Sequence, residues 1–163
     1  VKCLCLLAAL LGLNVLGIKC DRAPKPPPWQ NEWTQAQAGK IAEAMSYLDR
    51  MGRRQCVRYW PCRREQERCP LTWTQEVRDV QAAGRFHTRE LWQPDGKGLD
   101  AAYAPATDEI LVEPMAVEKY TAYQLGMVLL DEAIHRGVPG SDTEREHRVY
   151  YDEELPRYKQ ANG

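Results

Sequence analysis

Residues 125–135 read LGMVLLDEAIH. Apolar side chains fill almost every position until Asp131, Glu132 and His135 arrive, and Gly137 follows in time to stop a helix. The pattern predicts a long apolar helix over residues 120–136. Ionisable groups on such a helix cost free energy unless they are paired or bind a metal. The fold and the chemistry of the chain both turn on this segment.

Outward from it, the elements follow from local signals. Gly137-Val-Pro-Gly140 is a short corner, and Ser141 with Glu144 reads as a capping box. A last helix is predicted from Asp142 into 151–154, closed by Pro156. On the other side, Ala101–Ala104 and 109–113 read as two strands joined by Pro105-Ala-Thr-Asp108, with Pro114 ending the hairpin. Residues 85–92 form a third strand with weak alternation, followed by the turn-rich QPDGKGLD. Gly96-Lys97 is no phosphate loop, because no glycine lies five residues upstream and no Ser or Thr follows. Thr72 with Gln75 caps a helix whose face is Trp73, Val77 and Val80, ended by Gly84. Thr34 with Gln37 caps another, with Ile41, Ala44, Met45 and Leu48 at helical spacing and Gly52 as its stop. The class predicted is α+β: helices packed on a small, mostly antiparallel sheet, in a single domain over residues 34–163.

The 163 residues suffice for one domain and fall short of two. A formal charge of −1 argues against nucleic acid as a partner. Residues 1–19 stand apart. Lys2, an apolar run from Cys3 to Ile18 and Lys19 have the layout of a secretory signal, with a cut after Gly17, or of an uncleaved membrane anchor. Residues 20–33 carry DRAPKPPP, a polyproline-prone tether, with Trp29 and Trp33 placed to dock it onto the domain. The expected location is therefore secreted or periplasmic, membrane-tethered if the segment is retained. Cys20, Cys56, Cys62 and Cys69 then remain and suit two disulfides bracing the N-terminal half, in any of three connectivities. The spacing C-x5-C-x6-C lacks the tight pairs of a structural zinc knot. From Arg50 to Cys69 the chain holds seven arginines against Glu65 and Glu67. Such a run suits a solvated, disulfide-held surface, with an anionic-ligand patch as the rival reading.

Helical spacing decides which chemical groups meet. Asp131 and His135 are four apart and stack on one face; Glu132 lies beside them, rotated by about 100°. Glu144 and His147 are three apart on the next helix, which the short corner folds back as a hairpin. Asp131, His135 and His147 are thereby predicted to converge, with Glu144 or Asp142 as alternative third members. Such a set suits zinc (Zn2+), which takes Asp oxygen as well as His nitrogen at about 2.0–2.2 Å. Glu132 would then serve as the base that takes a proton from zinc-bound water.

DEAIH is one letter from H-E-x-x-H, and the order of helix, hairpin ending in EILVEP, apolar helix, glycine turn and short acidic helix resembles a small zincin metallopeptidase. The likeness covers roughly residues 100–152. It implies a zincin-like fold, an edge strand at 109–113 that aligns peptide or protein substrate, Glu132 as general base and His135 as the second metal histidine. The first metal histidine maps onto Asp131, where this chain departs from the family. The distance from His135 to His147 departs as well from the metzincin continuation H-x-x-G-x-x-H.

Two functions of different class follow. One is a secreted zinc-dependent peptide hydrolase with a variant D-E-x-x-H helix. The other is a zincin-like scaffold that binds a partner and catalyses nothing, with Asp131 as its motive. Plainer readings stand beside both: Asp131 and His135 as an ordinary ion pair, His135-Arg136 as cations at a helix C-terminus, His147 as a surface histidine, Tyr150 and Tyr151 as packing residues, His87 as structural. In a third option the DEAIH match is chance.

Overall fold

The computed structural model of the chain describes residues 32–52, 72–93, 96–138 and 143–163. Helix α1, Gln35–Arg50, starts at the predicted capping box: the Thr34 hydroxyl accepts from the Gln37 N–H at 3.2 Å, and the Gln37 side chain accepts from the Thr34 N–H at 3.0 Å. Ile41, Ala44, Met45 and Leu48 form its buried stripe. Gly52, at a φ of +80°, turns the chain out of the helix. Helix α2, Trp73–Ala82, is capped by Thr72, whose hydroxyl accepts from the Gln75 N–H at 3.1 Å, and it buries Trp73, Val77 and Val80.

The sheet has three strands, β1 (Phe86–Thr88), β2 (Ala101–Ala104) and β3 (Glu109–Val112), in the order β1-β3-β2. β2 and β3 make the predicted hairpin, with Ala102 opposite Leu111. β1 runs parallel to β3, with His87 opposite Leu111. The sheet is therefore mixed rather than mostly antiparallel, and β3 is its central strand, not an edge. The cause lies in the connection after β1. The chain leaves the sheet there and pairs with itself: Leu99 N–H donates to the Leu91 carbonyl at 3.1 Å and Gln93 N–H to the Lys97 carbonyl at 2.7 Å. This finger consumes the residues that the sequence offered as the rest of a strand to residue 92, and returns the chain to the far side of β3.

Pro114 does more than end the hairpin. It opens a short helix α3, Pro114–Lys119, in which the Glu113 carboxylate accepts from the Ala116 N–H at 3.0 Å. The long apolar helix is α4, Ala122–Gly137, with a capping box of its own between Thr121 and Gln124. α4 is the centre of the molecule. It packs on α1 and α2 along one side and on β2 along the other, burying Leu125, Leu129, Leu130, Ala133 and Ile134 almost completely. Gly126 allows this approach, because a Cβ there would collide with the Tyr158 hydroxyl and stand 3.2 Å from the Ala44 carbonyl oxygen.

The C-terminal part differs from the expected single helix. Helix α5 (Thr143–Arg148) widens into a π-helical segment, Val149–Glu154, and resumes as α6, Leu155–Asn162. Pro156 does not close it, since it occupies the first turn of α6, where a proline needs no N–H partner and the widened turn before it relieves the ring. α6 brings Tyr158 into the core, where its hydroxyl donates to the Tyr123 carbonyl at 2.8 Å.

Ionic contacts tie the layers together. The Arg136 side chain, 4% exposed, reaches Glu76 of α2 and grips Asp108 of the hairpin turn with two bonds of 2.8 and 3.1 Å. Trp33 docks against Phe86, their ring centroids 6.1 Å apart. Beside it, Glu32 accepts from the Thr88 N–H at 3.1 Å and meets His87 Nδ1 at 2.7 Å. Residues 1–19, most of the tether, the arginine-rich run, Cys20, Cys56, Cys62, Cys69, Ser141 and Asp142 lie outside the described residues. Among the described residues no helix is long and apolar enough to cross a membrane.

Candidate functional site

The last two turns of α4 present Asp131, Glu132 and His135 in two directions. Asp131 and His135 stack as their spacing requires, with His135 Nε2 3.9 Å from Asp131 Oδ1. The other ring nitrogen, Nδ1, lies 3.2 Å from Glu146 Oε2 on α5. A carboxylate only accepts, so Nδ1 donates and Nε2 is the atom turned towards Asp131. His147 stands alongside, its ring centroid 6.1 Å from that of His135 and 6.3 Å from that of Tyr151. Asp131 thus lies beside His135, and His147 beside His135. Burial raises the carboxyl of Asp131 above its usual range, an effect that His135 and then His147 oppose.

Glu132 points elsewhere. It is 5% exposed and takes a backbone hydrogen bond from Tyr103 in β2. The pairing of the hairpin explains why that N–H is available. Glu113 N–H donates to the Asp100 carbonyl, so alternation aims Asp100, Ala102 and Ala104 at β3 and leaves Ala101 and Tyr103 facing outward. Glu132 therefore sits on the outer edge of β2. Burial, then the charge of Asp131, pushes its carboxyl up to about 8, with the Tyr103 bond opposing. Its Oε2 has no hydrogen-bond partner among the described residues.

The π-helical segment brings Tyr150 against the same turn of α4. Its hydroxyl is raised well above the ordinary tyrosine range by burial, then by Asp131, Tyr151 and Glu132. In the sequence Tyr150 reads as a packing residue, and no signal marks Glu146. The one local signal here, the capping pattern with Ser141, marks Glu144 rather than Glu146, and only the angle between α4 and α5 decides which of them reaches His135. Glu144 is exposed.

The donor set suits zinc in kind and falls short in number. Asp131 Oδ1 and His135 Nε2 are somewhat wider than the ~3.4 Å that separates two tetrahedral donors on one zinc. Among the described residues no group of three His, Cys, Asp or Glu is arranged to hold a metal ion. As placed, these residues do not complete a zinc centre. No family model, no curated protein and no solved structure matches the chain.

Proposed function

We propose that the chain is an exported, zincin-like binding domain that has kept the active-site helix of a peptidase as a scaffold. The observation that supports this is the commitment of Glu132. A base that draws a proton from water must face that water. Glu132 is instead buried at the edge of β2, where its carboxyl group accepts from the Tyr103 N–H. Asp131 in place of a histidine, with two donors where three are needed, agrees with it. Export, and disulfides among Cys20, Cys56, Cys62 and Cys69, belong to the same proposal and rest on the apolar run 3–18 and the even number of cysteines left after a cut.

A second reading, a zinc-dependent peptide hydrolase, has one observation in its favour. Glu146 on Nδ1 orients His135 as outer carboxylates orient metal-bound histidines. In that reading Asp131, His135 and His147 would hold the metal, which would supply an activated water, and Glu132 would be the base.

Metal analysis of the natural protein purified without chelator separates the two. The binding reading expects far less than one zinc per chain and no hydrolysis of unstructured peptides. It also expects Asp131→His to gain zinc affinity, by restoring the missing donor on the same face. Near-stoichiometric zinc in the natural chain, with peptide hydrolysis abolished by Glu132→Gln, overturns it.

A further inference from the structure

We propose that the groove between the finger formed by residues 91–93 and 97–99 and α3 is a docking site for an extended peptide segment carrying apolar side chains beside lysine or arginine. The proposal rests on the binding reading above and names its partner class.

Three large apolar side chains stand out as exposed among the described residues, and two of them, Trp92 at 68% and Met115 at 63%, line this one groove. Leu91 and Leu99 continue its floor, and its volume is about 460 Å³. An apolar surface of this kind, gathered in one place on a small domain, marks an interaction site. The finger holds Trp92 out by its own pairing, Trp92 bridging to Gly98, so the indole is presented by a fixed backbone. Trp is the side chain that most often anchors a protein interface.

Charge selects the occupant. Among the described residues, Glu90, Asp100 and Glu113 rim the groove against a single cation, Lys119. Two of these carboxylates are fixed in place: Asp100 accepts from the Tyr120 hydroxyl at 2.7 Å, and Glu113 from the Ala116 N–H at 3.0 Å. Lys119 is drawn aside, its ammonium 4.7 Å over the Tyr120 ring. The rim therefore attracts cationic side chains and repels anionic lipid surfaces and nucleic acid. A small apolar ligand would need most of its surface enclosed, and an indole two-thirds exposed does not enclose one. A peptide reaches along the groove, setting an apolar side chain on Trp92 and Met115 and its cations on the rim.

The test uses the full chain and fluorescein-labelled hexapeptides read by anisotropy. One alternates lysine and leucine, one glutamate and leucine, one lysine and serine. The lysine–leucine peptide is expected to bind at least ~10-fold more tightly than either control, and to weaken several-fold between about 50 and about 300 mM salt. Trp92→Ala and Glu90→Lys should each weaken it by ~10-fold, on side chains exposed enough to leave the fold intact. Equal binding of the three peptides overturns the proposal, as does indifference to Trp92→Ala together with Met115→Ala. Self-association relieved by Trp92→Ala also overturns it, because the occupant is then a second copy of the chain. Zinc is measured on the same sample: no peptide binding without zinc sinks the groove alone, whereas stoichiometric zinc with hydrolysis sinks the binding reading itself.

Discussion

At Glu132 a single proton links folding to pH. In the unfolded chain the carboxyl titrates near 4.5, and in the folded domain near 8. Between those values the native state binds the proton and the unfolded state does not, so stability falls as pH rises. The contribution is complete below the unfolded value and is lost by the time pH passes the folded one. At 1.36 kcal/mol per unit its upper bound is about 5 kcal/mol. The urea midpoint should therefore drop from about pH 5 to about pH 8. Glu132→Gln, which keeps the shape and cannot ionise, should flatten this dependence, matching the parent near pH 5 and exceeding it near pH 8. A parallel decline in both proteins would show that Glu132 is not the titrating group. From the sequence, Glu132 was legible as an unusual acid on an apolar helix. Its destination was not, because the N–H of Tyr103 is turned away from β3 only once the β2–β3 register is set.

Elements were legible where their signals are local. The capping boxes at Thr34 and Thr121 follow one rule, and the first was read directly, whereas the second was hidden in a helix start placed two residues early. α3 has only six residues, too few for a periodic pattern to stand out. The π-helical segment leaves no mark that a periodicity search could find, and it overturned the expected break at Pro156. Gly126 supplies a prediction at this scale. Gly126→Ala drives a methyl into the Tyr158 hydroxyl and against the Ala44 carbonyl, and should cost roughly 1–3 kcal/mol by overpacking, despite the better helix propensity of alanine. Tyr158→Phe removes the colliding atom together with its bond to the Tyr123 carbonyl. The double variant should then cost less than the sum of the singles, and strict additivity in chemical denaturation would refute the contact.

For the molecule as a whole, Arg136 is the joint. It connects α2, the hairpin turn and α4 through Glu76, Asp79 and Asp108, and both its own side chain and that of Glu76 are almost wholly buried. Removing the cation alone takes away the guanidinium that faces the buried Glu76 carboxylate. Arg136→Met should cost roughly 3–5 kcal/mol, and adding Glu76→Gln should recover part of that; unfolding curves of the two variants check the order. The sequence showed Arg136 only as a cation at a helix end. Pairing it with an acid sixty residues earlier requires the packing of α2 on α4, which no spacing rule reaches. The same limit applies to β1: its strand character was readable, its parallel partner was not.

Among the described residues, the sheet of three short strands has two outer sides, and a glutamate occupies each. Glu32 takes the outward amide of Thr88, and Glu132 that of Tyr103. Those amides are the handles by which a neighbouring molecule would extend the sheet into an aggregate. Glu32→Ala should raise light scattering in concentrated solution while leaving the helices unchanged by circular dichroism, and unchanged scattering would refute the role. A shortened version beginning at Thr34 would keep the sequences of α1 to α6, lose one of the two guards together with Trp33, and begin to form fibrils from the side of β1.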